Sequence, residues 1–169
     1  VAGESQGRSV IRPARPGDES LLFELILELA AYEELSEHVR STPQMVGEAL
    51  FGEHPAAEAL IAEVGGETAG YAIFFPTFST FLAIQGVWLE DLFVRPAHRG
   101  AGVGRALLSG VAARTRARGG ERLEWSALDW NELALGFYRE MGAERKSEWI
   151  THRLTGPALE RVAGQDLDS

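Results

Sequence analysis

Arg99-Gly100-Ala101-Gly102-Val103-Gly104 joins two segments of opposite periodicity. The run before it, 86–94 (GVWLEDLFV), is β-branched, aromatic and aliphatic, which predicts a buried strand. After it, Val103, Leu107 and Val111 recur every four residues with Ala106, Gly110 and Ala113 beside them, which predicts a helix. Three glycines between strand and helix let backbone approach an anion, and a helix start adds unpaired N–H groups and the positive dipole end. Arg99 sets a fixed charge at the mouth, with Arg105 just inside. A tight turn alone could share this composition. The two commonest phosphate loops are excluded: Gly104 precedes Arg105-Ala106 rather than Lys-Ser/Thr, and a dinucleotide fingerprint from Gly100 would need glycine at 105.

A second motif gives the first its meaning. Residues 131–143 (NELALGFYREMGA) predict a short helix with Asn131 at its start and Gly142 closing it. Arg-x-x-Gly-x-Gly followed by Asn-x-x-Ala-x-x-Phe-Tyr-x-x-x-Gly-Ala resembles the GNAT family of N-acetyltransferases, from about Val10 to about Leu154. Tyr32-Glu33, Phe51-Gly52-Glu53-His54-Pro55, 89–94 (LEDLFV) and Trp130-Asn131-Glu132 further resemble its diamine (spermidine/spermine-type) acetyltransferase branch. The resemblance implies an α/β acyl-CoA acyltransferase fold: a mixed, mostly antiparallel sheet flanked by helices.

Bulk properties fit one globular domain. The 169 residues suffice for a core, expected over 10–163 with a leader at 1–9 and a tail at 164–169. The leader lacks the apolar core of a signal peptide, and no apolar run nears the roughly 18 residues that span a membrane. There is no cysteine, which rules out disulfides and thiolate chemistry and suits a reducing cytoplasm. His38, His54, His98 and His152 are scattered without metal-ligand spacing, so no metal is expected. Sixteen basic against twenty-five acidic residues give a net charge of −9, which disfavours nucleic acid. That charge favours a cationic small molecule, or simply solubility.

The remaining chain predicts a strand at 10–13, a helix from a cap at Asp18 to Tyr32, and a second helix from Pro43 to Leu50. Strands follow at 60–64 and 69–75 across a Gly65-Gly66 hairpin, then at 122–127 and 148–154. The four tryptophans are expected in the core or an interface.

Acetyl transfer to an amine needs a grip on the cofactor diphosphate, a slot for its pantetheine arm, a base and an acid. The resemblance implies acetyl-CoA as cosubstrate, held by Arg99, Gly100, Ala101, Gly102, Val103, Gly104 and Arg105. It also implies pantetheine pairing along Phe93 and Val94, where a family bulge splays the strand. Asn131 either bonds that arm or only caps its helix. Glu90 stands in an otherwise apolar strand, and such a carboxylate needs a partner or a purpose; the branch places its base there. Alternation puts Glu90 and Asp91 on opposite faces, so both line one cleft only if a bulge falls at this point. Tyr138 is either a packed aromatic or, by the motif, the acid for the thiolate. Glu28, Glu33, Glu34 and Glu37 gather at the end of the first helix, as a cation site or as a solvated helix end. Glu33, Glu34 and Asp91 are the candidate acceptor ligands. Where the branch carries an acid and a tryptophan before the catalytic strand, this chain has 78–82 (FSTFL), which points to a short acceptor. The expected enzyme is a homodimer acetylating a diamine, polyamine or thialysine-like amine; the alternatives are a protein-lysine or N-terminal acetyltransferase and a non-catalytic acyl-CoA-binding module.

Overall fold

The computed structural model describes residues 9–164. The chain divides between Leu128 and Asp129 into two compact units.

The first unit holds a five-stranded sheet in the order β1-β2-β3-β4-β5. Its strands are β1 Val10–Pro13, β2 Glu58–Val64, β3 Glu67–Ser79, β4 Ile84–Val94 and β5 Arg122–Glu124. The first four pair antiparallel and β5 joins β4 in parallel, so the sheet is mixed and mostly antiparallel as expected. Gly65 and Gly66 turn β2 into β3 with φ of 62° and 87°, the left-handed pair that a two-residue hairpin requires.

Alternation along β2 shows how the layers form. Ala59 and Ile61 pack with Leu22 and Leu25 of α1 (Glu19–Tyr32) and with Val46 and Leu50 of α2 (Pro43–Phe51). Leu60 points the other way, towards α3 (Val103–Ala117), where a Cβ on Gly110 would lie 2.9 Å from its Cδ1. Helices therefore cover both faces, and Val103, Leu107 and Val111 are buried as their spacing predicts. Each such aliphatic side chain contributes about 1.5–3 kcal/mol on burial.

The caps of α1 and α2 differ. Thr42 accepts the Met45 N–H at 3.2 Å, with Pro43 opening α2. Asp18 precedes α1 but does not cap it through its side chain. Its carboxylate instead takes both terminal nitrogens of Arg12 at 2.7 and 3.0 Å and the Arg15 N–H, and the Arg12 bond holds its pKa below the ordinary range.

In the second unit, α4 (Glu132–Glu140) starts at Asn131, whose Oδ1 accepts the Ala134 N–H at 3.1 Å. Gly142 closes it with φ of 82°. Two strand expectations need correction. The strand predicted for 122–127 stops at Glu124, and 148–154 forms no strand but leads into α5 (Gly156–Ala163). Side-chain composition suited 148–154 to a strand, but among the described residues no partner pairs with it. The tryptophans are not core either: Trp88 and Trp125 are half-buried, and Trp130 and Trp149 are exposed. The expected leader and tail fall outside the described residues, apart from Ser9 and Gly164.

Candidate active site

β4 carries the site at both its bend and its end. Past Val94 the chain makes a short turn at Pro96–His98 and reaches Arg99. Gly100 and Gly102 follow with φ of 77° and 80°, a conformation that side chains disfavour, and a Cβ at either would meet nothing within 4 Å. Gly102 is the N-cap of α3, and the first helical bond runs from the Ala106 N–H to its carbonyl. The N–H groups of Val103, Gly104 and Arg105 thus lie ahead of the hydrogen-bonded ladder, at the positive end of the dipole. Open space, free donors and positive φ together fit an anion. Arg99 donates from Nε to the Val94 carbonyl at 2.9 Å, and its guanidinium carbon lies 4.6 Å from the Tyr32 ring centroid and 5.9 Å from that of Phe93.

The bulge falls where both carboxylates need it. Ile73 pairs with Asp91, but its neighbour Phe74 pairs with Leu89, so Glu90 is the extra residue between them. Glu90 is exposed and accepts the Trp88 Nε1–H at 2.9 Å. The enclosed carboxylate is its neighbour. Asp91 is largely enclosed and accepts the O–H of the fully buried Tyr71 at 3.0 Å. Burial raises its pKa to about 6; Glu90 and Glu33 push it the same way, while the Tyr71 bond pulls it down. Burial likewise raises Glu33, which follows the last residue of α1.

The charges of Glu33 and Glu90 therefore both act on Asp91. The rest of the acidic group does not join them. Glu28 binds Arg95 through both oxygens, with Glu24 on the same guanidinium, so it is neutralised. Glu34 is exposed with φ of 60°, and Glu37 is exposed as well. Tyr71 escaped the sequence reading. A tyrosine in a buried strand needs a partner for its hydroxyl, and that was the available signal.

The sheet also opens beside the bulge. β5 pairs with β4 only from Gly86 to Trp88, and from Leu89 to Val94 that edge of β4 has no neighbouring strand among the described residues. Phe93 is buried and Val94 half-buried at the end of this edge. In the second unit, Tyr138 lies on α4 with its ring centroid 5.2 Å from that of Phe137. Among the described residues no group of three or more His, Cys, Asp or Glu side chains is arranged to hold a metal.

Comparison with known proteins bears directly on this arrangement. The profile of the Acetyltransferase (GNAT) family matches residues 23–143. Thialysine N-epsilon-acetyltransferase of Bos taurus is 33% identical, with 92% of this chain and 98% of that enzyme aligned. L-ornithine N5-acetyltransferase of Arabidopsis thaliana is 45% identical over 56% of this chain and 41% of its own length. Among solved structures, an integron cassette protein from the mobile metagenome of V. cholerae superposes with a TM-score of 0.77 at 24% identity, covering 93% of this chain and 98% of its own.

Proposed function

The chain belongs to the GNAT acetyltransferase family and is an acetyl-CoA-dependent N-acetyltransferase acting on a small amine; on that premise we propose a short, cationic acceptor of the diamine or thialysine type. The observation that carries this is the pair of adjacent carboxylates Glu90 and Asp91 at the β4 bulge, the second largely enclosed, with the charge of the half-buried Glu33 acting on it. An enclosed anion seeks a cation, and the exposed Glu34 beside Glu33 adds negative charge. The exposed Phe78, Phe81 and Leu82 supply no distal anchor for a long polyamine.

The carboxylates divide the work. An amine of pKa about 10.4 is almost wholly protonated at neutral pH, and freeing its lone pair costs about 4.6 kcal/mol. Carboxylates that grip an ammonium raise that cost, so gripping and deprotonation belong on different groups. Glu33 and Asp91 hold the acceptor's cationic end; Glu90, extruded by the bulge and exposed, takes the reacting nitrogen's proton and passes it to water. The neutral nitrogen then attacks the thioester carbonyl, the C–N bond forms and the C–S bond breaks. Tyr138 gives its phenolic proton to the departing thiolate and regains one from water.

Acetyl-CoA lies with its diphosphate over residues 99–105 and its pantetheine along the open edge at Phe93 and Val94, in the manner of an added strand. Asn131 contributes a polar contact to that arm. Residues 10–163 then form a single catalytic domain. A homodimer fits the exposed Trp149, Ile150 and Leu154, and a cysteine-free chain fits a reducing cytoplasm.

The test is turnover of wild type, Glu90→Gln and Tyr138→Phe with acetyl-CoA against short diamines, thialysine, spermine and a lysine peptide. Each variant should lose about 10²–10⁴-fold in kcat while acetyl-CoA still binds. Near-normal rates in both, or a preference for the peptide, would overturn the reading.

A further inference from the structure

Arg99 is held by more than its own loop. Its Nε is committed to the Val94 carbonyl, which leaves the two terminal nitrogens as the part of the fork that can reach an anion. Its face is covered by Tyr32, 4.6 Å from ring centroid to guanidinium carbon, with the buried Phe93 flanking it at 5.9 Å. Tyr32 is the last residue of α1, packed against the core of Leu22, Leu25, Tyr71 and Phe93. An unsupported arginine samples many rotamers, and each one lost on binding costs affinity. A ring fixed by the core and a carbonyl fixed by the sheet together remove that freedom beforehand.

The geometry points to Tyr32 as a positioning residue for acetyl-CoA: through cation–π stacking it pre-sets Arg99 for the diphosphate. The neighbouring residue is Glu33, one of the acceptor carboxylates, so a single helix end orders one ligand of each substrate. This rests on the proposed reading of residues 99–105 as the diphosphate loop.

A double-mutant cycle with Tyr32→Leu, Arg99→Ala and the pair, read as the KM for acetyl-CoA at saturating amine, tests it. Tyr32→Leu should raise that KM about three- to tenfold with a smaller change in kcat. Tyr32→Phe should restore it, because the ring suffices. In the Arg99→Ala background Tyr32→Leu should add nothing further. Should Tyr32→Leu not fold, ring-fluorinated phenylalanine at position 32 keeps the packing and drains the π face, and it should raise the KM relative to phenylalanine. Independent, multiplicative effects of the two substitutions, or a fluorinated ring that binds as well as phenylalanine, would overturn the inference while leaving the loop reading intact. An unchanged KM in Arg99→Ala alone would overturn both.

Discussion

Asp91 combines three influences that a sequence does not display side by side. Enclosure raises its pKa to about 6, the Glu90 and Glu33 charges add to the rise, and the Tyr71 hydroxyl opposes it. The sign of the pH effect follows. Below about pH 6 Asp91 takes up a proton and loses its charge; in its proposed role as a cation ligand its grip then loosens, so kcat/KM for the amine should fall as pH drops through that value. Tyr71→Phe removes the one contribution that lowers the pKa, and the acidic limb should then move to higher pH. Asp91→Asn should abolish that limb and raise the amine KM while acetyl-CoA binding is kept. A limb that stays in place in Tyr71→Phe would show that another group sets it. Glu90, Asp91 and Glu33 could be singled out from residue type and resemblance alone. Tyr71 could not be assigned, because its partner is twenty residues away and on a different strand.

Between residues and the whole lie the elements, and their legibility varied for physical reasons. The loop at 99–105 and the helix at Glu132–Glu140 were readable because each is a contiguous motif whose glycine, asparagine and apolar spacings act locally. The bulge was not. Which residue of β4 is left over is decided by how Ile73 and Phe74 register against it, and no local signal in 89–94 marks Glu90 rather than its neighbour. The strand expected at 148–154 failed for a related reason, since strands exist only when something pairs with them. The Asp18 cap was lost to a competitor, Arg12, whose guanidinium claims the carboxylate. The element that the reading relies on most can be tested by charge. Gly102→Asp adds a side chain at φ of 80° and a negative charge at the α3 N-terminus, where the surroundings are open. Repulsion of a second anion should weaken CoA binding at least tenfold by calorimetry in the folded variant, while left-handed strain at position 102 lowers the thermal midpoint. Unaltered CoA affinity in the folded variant would place the diphosphate elsewhere.

Across the molecule, the excess of nine negative charges and the local carboxylates favour the same kind of acceptor. A field of this sign concentrates cations and repels an anionic cosubstrate, so the proposed reading puts the cosubstrate's grip at local features, Arg99, Arg105 and the helix start. On that reading the two charges are handled by different devices: a diffuse acidic field with enclosed carboxylates for the amine, and a concentrated backbone-and-arginine cradle for the diphosphate. The most direct measurement is kcat/KM for a short diamine and for spermine, at 20 mM and 200 mM salt, in wild type and in Glu33→Gln. Over that range the screening length falls from about 20 Å to about 7 Å. The short diamine should be preferred, its kcat/KM should fall with salt, and Glu33→Gln should lower it while weakening that salt dependence. A preferred neutral acceptor, or rates indifferent to both salt and Glu33→Gln, would contradict the assignment of a carboxylate-held cation.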